Sequence, residues 1–399
     1  MRTPDPLRSP RSLFRVAIVL LLQAPAFAAA PPGPRGADIP VNTGGDLPLC
    51  PAIAMSASGD FEVVWNLYIS GSHPFPQGTF ARHFDREGRP TRAAEIRLDS
   101  PGSEEVGDVR IVALPGSGYF VFWSEARERR STMVGRFLDS DGRPTGPPFL
   151  LARSGSPVAA AVVDDSLLVA WVDQGPPSRL RARRYDFEGH ALGEVLRLDF
   201  NAELRAFGNL GLAPLAGGFV VIGQRGSWII AQRFSLAGKP VGAELQANKR
   251  PLGSTFPSAR VASNGNDRFA VAWTTSVDLL DPHSGQHVLE YDARARLFDV
   301  SGESSPEIHP NQPHTGFQQA WGLALNARGV TLVAWESDRN SAGRFLDPAG
   351  QPESRAFPIS QNRAGVDRCP AAATDGADAW VVAWLKDTVL IARRLASSE

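Results

Sequence analysis

The sequence predicts an all-β fold: a seven-bladed β-propeller of four-stranded blades, its ring closed by an N-terminal strand. Three observations carry this. A short strand ending in tryptophan recurs seven times, as FEVVW (61–65), YFVFW (119–123), LLVAW (167–171), FVVIG (219–223), FAVAW (269–273), TLVAW (331–335) and WVVAW (380–384). The last residues of these copies are 58, 48, 52, 50, 62 and 49 positions apart, a regular period of the kind repeat folds show. The copies are continuously apolar rather than alternating, the pattern of strands buried on both faces. Finally, CPAIAMSASGDFEVVW (50–65) near the start and CPAAATDGADAWVVAW (369–384) near the end are versions of one phrase, and they hold the only two cysteines.

Residues 1–28 predict a secretory signal peptide. Arg2, Arg8, Arg11 and Arg15 precede the apolar run VAIVLLLQAPAFAAA, and AFA offers a cleavage site after Ala28. Gln23 and Pro25 interrupt the run, which is too short for a stable membrane anchor. Removing residues 1–28 takes away a net +3 and leaves a chain of charge −4 from the original −1. Scattered basic residues on a mildly acidic chain exclude a nucleic-acid footprint. The expected address is secreted or periplasmic, where two cysteines can pair.

After a linker at 29–36, the propeller is expected over 37–399. Its blade cores fall at about 50–100, 107–152, 156–199, 207–248, 257–309, 319–360 and 369–395. Each repeat opens with a strand of small residues such as PAIAMS, then a tight turn such as SGD or NARG, then the tryptophan strand. A loop of variable length leads to a third strand (TFARHFD, RARRYDF, IIAQRFS), and a turn such as DREGRP or DPAGQP leads to the fourth. LDSDGRP (138–144) has the look of a calcium loop, but the corresponding turns lack its second acid, so it reads as a turn. The seventh repeat lacks a fourth strand, and ADIPVNT (37–43) resembles it, so that strand is expected to complete the last blade. Repeats one and seven become neighbours, and a Cys50–Cys369 disulfide is expected across their seam.

The tryptophans Trp65, Trp123, Trp171, Trp273, Trp335 and Trp384 are matched by Arg82, Arg136, Arg183, Arg296, Arg344 and Arg393 in the third strands, with Gln232 in the fourth repeat. Trp335/Arg344 and Trp384/Arg393 are both nine apart, a spacing that can set them opposite on paired strands. The pairs are therefore read as structural, guanidinium over indole.

Function on such a scaffold belongs to variable loops. Those between strands two and three, and between blades, vary most: 66–78, 124–132, 274–292 and 309–318. His73, His283, His287, His309 and His314 lie on that face, and the last four are placed to converge. They do not form a metal-ligand signature, and no metal or other cofactor is expected. His283, His287 and His314 are weak catalytic candidates as acid–base groups. Charged residues follow several tryptophans (Glu125, Asp173, Glu336, Asp338, Asp387, with Arg127 and Arg339), and Trp321 falls near the channel mouth as a sugar-stacking platform or a core indole. The candidate ligand-binding set is Trp321, Arg127, Asp173, Asp338, Arg339, His283, His287, His309 and His314.

The phrase G-x-x-x-x-V-A-W … A-R-R-x-x-x-x-G resembles repeats of secreted bacterial β-propeller proteins, largely uncharacterised, over about residues 37–395. The resemblance implies a fold and an extracytoplasmic address and carries over no catalytic residue. The reading is a binding module for a surface glycan or an extracellular protein on the long-loop face. Its alternatives are a polysaccharide lyase or glycosidase centred on the histidines, and a passive interaction scaffold. The oligomeric state is open.

Overall fold

Trp65, Trp123, Trp273, Trp335 and Trp384 are each no more than 2 % exposed, the outcome expected of strands apolar on both sides. A computed structural model describes residues 32–397 except 45, 69–76, 101, 128–129, 174–177, 201–209, 254–257, 281–286, 312–315, 339 and 362–363. The expected signal peptide lies outside the described residues. Among them, every regular element is a strand, and no helix is long and apolar enough to cross a membrane.

Seven antiparallel sheets of meander order form the blades of a β-propeller. Blade three is representative: Ser156–Val163, Ser166–Asp173, Arg179–Tyr185 and Ala191–Arg197 pair in succession. The first strands neighbour one another around the ring and line the channel. In blade five the fourth strand is reduced to bridges at Ile308 and Ser304. Seven hydrophobic clusters each join two adjacent blades. One packs Val63 and Trp65 of blade one on Val381 and Ala383 of blade seven, so the core is continuous across the seam.

Gly33–Pro40 pairs with Val389–Ala396 and supplies the missing fourth strand of blade seven. It starts earlier than the 37–43 expected, so 33–36 are strand and not linker. A bulge between Arg35 and Ile39, with Gly36 at φ 69°, lets the pairing continue. Cys50 and Cys369 are bonded, with Cα atoms 5.5 Å apart. Both lie just before the first strand's pairing resumes, on the face that carries the two–three hairpins and the blade-to-blade connections.

The tryptophan–arginine register differs from the expected one. Trp335 pairs with Ala342 and Trp384 with Ile391, while Arg344 and Arg393 sit opposite Val333 and Val382. The cause is a two-residue turn that places the hairpin centre one residue earlier. Arginine and tryptophan share a face diagonally, and the guanidiniums bind backbone carbonyls. Arg82 donates to Val41 O (2.7 Å) and Ala93 O (3.1 Å), Arg136 to Gly146 O and Leu98 O (2.8 Å each), and Arg393 to Ile359 O (2.7 Å) and Gly36 O (3.1 Å). Arg183 donates to Gly193 O, and Arg296 to Ser305 O and Gln246 O. The arginine thus clips the fourth-strand region to the third, and in several blades also reaches the segment before its own blade. Where aromatic contact occurs it is with phenylalanine: Arg82 over Phe84 and Arg296 over Phe298. In blade four Gln232 bonds to Val241 O, and Trp228, diagonal to Gly223, packs into the cluster between blades three and four.

Candidate functional site

The long-loop face is built from hairpins that lock onto the connections between blades. Asp338 and Asp387 occupy two-residue turns at φ 48° and 51°. Asp338 accepts from Phe317 N and donates its own N–H to Phe317 O (2.8 Å each), and Asp387 makes the same pair with Val366 (2.9 Å each). Gly316 and Gly365 stand against them at φ 84° and 89°, where a Cβ would meet the carboxylates at 2.5 and 2.1 Å. Asp338 is therefore committed to the frame. So is Glu125, buried and accepting from Trp123 Nε1 and Ser103 Oγ.

At the seam of blades two and three a cavity of about 400 Å³ opens, lined by Leu151–Ser154, Trp171, Asp173, Arg181 and Val195. Trp171 is the most exposed of the six repeat tryptophans, at 5 %. Arg181 pairs directly opposite it and lies 3.8 Å from Asp173, whose Oδ1 is 3.4 Å from Ser154 Oγ. The connection comes this close to the indole because Gly155, at φ 138°, has no Cβ, which would stand 2.8 Å from Trp171 Cδ1. The cavity thus joins an apolar aromatic edge to a carboxylate, a guanidinium and a hydroxyl.

The second feature is the channel. Trp321 is the bulged residue of Gln318–Leu325, between Ala320 paired to Trp335 and Gly322 paired to Ala334. The Arg260 guanidinium lies 5.1 Å from the Trp321 ring and its Nε donates to Trp321 O at 3.1 Å. Trp321 is thus half-buried and in contact with a cation, different from either a bare platform or a core indole.

Of the candidate histidines, His287 and His309 lie among the described residues, and their places in blade five differ. The segment 274–292, expected as a loop, is largely paired strand, Arg268–Leu280 against His287–Asp299, since its valines, leucines and Tyr291 suit a pleated pair. His287 opens the third strand opposite Leu280. His309 bonds through Nδ1 to Arg294 Nη1, seven residues further along that strand. At about 3.3 Å per residue the backbones of His287 and Arg294 are roughly 23 Å apart. Arg294 also pairs with Asp292 (2.8 Å) and Glu307 (3.4 Å). Arg127 ends Tyr119–Arg127 and pairs across its hairpin with Arg130. His73, His283, His314 and Arg339 lie outside the described residues.

Other groups went unmarked in the sequence. Glu62, fully buried in blade one, pairs across from His83, which is also buried. Neither Glu62 oxygen has a hydrogen-bond partner, and burial pushes its carboxyl well above the usual range despite Arg92. His83 is held below its usual value by burial, its Nδ1 lies 3.2 Å from Thr91 Oγ1, and the Tyr119 ring packs edge-on against it. Asp186, Glu188 and His190 present ligand atoms within 4.8 Å of one another, but Asp186 Oδ1 accepts the Glu188 and His190 N–H groups, so it serves the turn. The DSDGRP turn behaves alike: Asp139 Oδ1 accepts from Asp141 N and Arg143 N.

No family model matches the chain, and no curated protein matches it. Solved structures do. A hydrazine synthase from Kuenenia stuttgartiensis aligns at TM-score 0.55 and 12 % identity, covering 88 % of this chain and 98 % of its own. An α-L-arabinanase from Penicillium chrysogenum, complexed with arabinobiose, aligns at 0.51 and 9 % identity, covering 90 % and 98 %. A protein of unknown function from Dyadobacter fermentans aligns at 0.50 and 11 % identity, covering 92 % and 100 %. At such identities the likeness is one of fold, and the fold these structures share with this chain is the propeller.

Proposed function

We propose that this protein is an extracytoplasmic binding module that recognises a glycan on its long-loop face, with the cavity between blades two and three as a subsite. The observation that carries this is the meeting of Trp171, Asp173, Arg181 and Ser154 around about 400 Å³. An indole edge offers apolar contact to a sugar ring, and a carboxylate, guanidinium and hydroxyl offer acceptors and donors to its hydroxyls, the mix expected of small-ligand sites. Among the described lining residues Asp173 is the one carboxylate, whereas glycoside hydrolysis calls for two. That favours binding over cleavage. The Cys50–Cys369 bond accords with an oxidising compartment, as does the leader expected at residues 1–28.

The test is a panel of bacterial and plant polysaccharides offered to the protein, scoring retention and released oligosaccharides by mass spectrometry. Retention without release is expected. Arg181→Gln and Asp173→Asn should each weaken the retained sugar about tenfold, or roughly 1.4 kcal/mol. Released fragments would overturn the binding reading and restore the enzyme alternative.

A further inference from the structure

Blade five departs from the repeat at three positions that meet in one cavity. The residue before the tryptophan pentapeptide is Asp60, Gly118, Ser166, Gly218, Val330 or Ala379 in the other repeats and Arg268 in this one. The residue after the glycine of the turn between strands three and four is Arg89, Arg143, His190, Lys239 or Gln351 elsewhere and Glu303 here. The next position is proline in four blades (Pro90, Pro144, Pro240, Pro352) and Ser304 here. Bridges from Phe84 to Pro90, Leu138 to Pro144, Leu346 to Pro352 and Phe298 to Ser304 show that these turn positions are equivalent.

The cavity, of about 200 Å³, lies between blades five and six on the face of the short turns, opposite the long loops, and every residue lining it is described. Its wall is apolar in part: Phe269 and Phe298 stack with centroids 5.0 Å apart, and the buried Leu297 and Leu325 line it as well. Arg268 donates through Nη1 to Pro348 O of blade six at 2.7 Å, and its other guanidinium N–H groups have no partner among the described residues. Asp299, opposite Arg268 in the strand register, is taken up through Oδ1 by the N–H groups of Ser301, Gly302 and Glu303. The Glu303 carboxylate and the Ser304 hydroxyl make no hydrogen bond among the described residues. Arg268 and Glu303 thus share one cavity, opposite in charge and not paired with each other.

We propose that this cavity binds a single free α-amino acid with an apolar side chain: Arg268 takes its carboxylate, Glu303 its ammonium, and the phenylalanine and leucine wall its side chain. A ligand that covers the cavity removes both charged groups from water. A neutral or singly charged ligand would leave one of them without a partner, whereas a zwitterion offsets both. The guanidinium presents its N–H groups in the geometry that suits the two oxygens of a carboxylate. The Ser304 hydroxyl adds a donor and acceptor where the other turns carry proline, which has neither in its side chain. A volume below the roughly 300 Å³ at which drug-sized sites begin sets the ligand at the size of one amino acid. The site shares no residue with the glycan subsite and lies on the other face, so it stands apart from that reading.

The experiment is calorimetric titration of the full chain with L-leucine, L-valine and L-phenylalanine, and then with the amide and the N-acetyl derivative of the one that binds most tightly. The expected result is saturable binding of at least one free amino acid, weakened about tenfold or more in each derivative. Arg268→Gln should weaken the free amino acid about tenfold and leave its amide unchanged, because the amide lacks the carboxylate that Arg268 takes. Glu303→Gln should weaken it by a similar factor and leave the N-acetyl derivative unchanged. Loss of the Arg268–Pro348 bond alone would lower affinity for all three ligands alike, so the selective loss separates ligand contact from a purely structural role. Melting curves check that the variants fold, and the derivative series on the wild type stands without them. Absence of saturation with all three amino acids overturns the site, as does equal binding of the free acid and its derivatives. An unchanged affinity in either folded variant overturns it as well.

Discussion

Glu62 occupies the second position of the tryptophan pentapeptide, where the other repeats carry Phe120, Leu168, Val220, Ala270, Leu332 and Val381. A carboxyl there is enclosed by its neighbours: a Cβ on Gly142 of the adjoining turn would stand 2.2 Å from Glu62 Oε2. The charged groups that act on it are Arg92, which favours ionisation, and Asp139, which opposes it. Because its folded value is raised, the folded state holds the proton more tightly than the unfolded chain. Stability from this group is present below the ordinary carboxyl range and is lost as pH rises toward the folded value. Glu62→Gln should therefore be more stable than the wild type, by a gap that widens by about 1.4 kcal/mol per pH unit through that window. Denaturant midpoints at pH 5, 6, 7 and 8 check this, and a constant gap would show that Glu62 ionises normally. His83 acts in the opposite sense, being held neutral, so acidification below its ordinary range should lower stability in both proteins. Glu62 was legible as a letter but not as a burial. Nothing in the string FEVVW says that its second residue faces a neighbouring blade's turn.

At the scale of the strand and hairpin, local chemistry was well legible and register was not. Turns, the order of strands and the closing strand follow from glycine, proline and apolar patterning. The offset between Trp335 and Arg344 depends on whether the hairpin closes in two residues or more, and Asp338 at φ 48° decides it. Asp387 repeats the arrangement in blade seven, and the lock it forms with Val366 needs Gly365. Gly365→Ala brings a left-handed backbone penalty of about 1–2 kcal/mol together with the collision on Asp387. Gly116→Ala is the control, because Gly116 has φ 81° with nothing within 4 Å of a built Cβ. Gly365→Ala should be the less stable of the two by about 1 kcal/mol or more in urea unfolding. Equal losses would mean that the Asp387 lock contributes nothing beyond backbone strain. The cavity beside Trp171 was hidden for a related reason. It depends on the path of the connection through Gly155, which lies outside the repeated phrase.

Over the whole molecule, the paired Cys-Pro phrases at the two ends revealed both the ring and its clasp, because equivalent places in adjoining repeats lie side by side. The alignment of the first strands was less legible, since bulges at Asp108–Val109, Val158, Trp321 and Cys369–Pro370 shift them relative to their partners. The clasp spans 319 positions, for which the chain-entropy view gives up to about 5 kcal/mol. Reduction, or Cys50→Ser, should lower the unfolding free energy by an amount up to that limit, read as a lower denaturant midpoint. An unchanged midpoint would mean that the seam is held by the closing strand and the Val63, Trp65, Val381 and Ala383 packing alone.

The pairing of Gly33–Pro40 with Val389–Ala396 also sets an order in time. The first strand to be synthesised has as its partner one of the last, so blade seven cannot be completed while the chain is still being made. Until then the early segment must stay extended and unclaimed, with its backbone groups solvated. A nascent chain in that condition still has an open ring, and closure waits for the last strand to leave the ribosome.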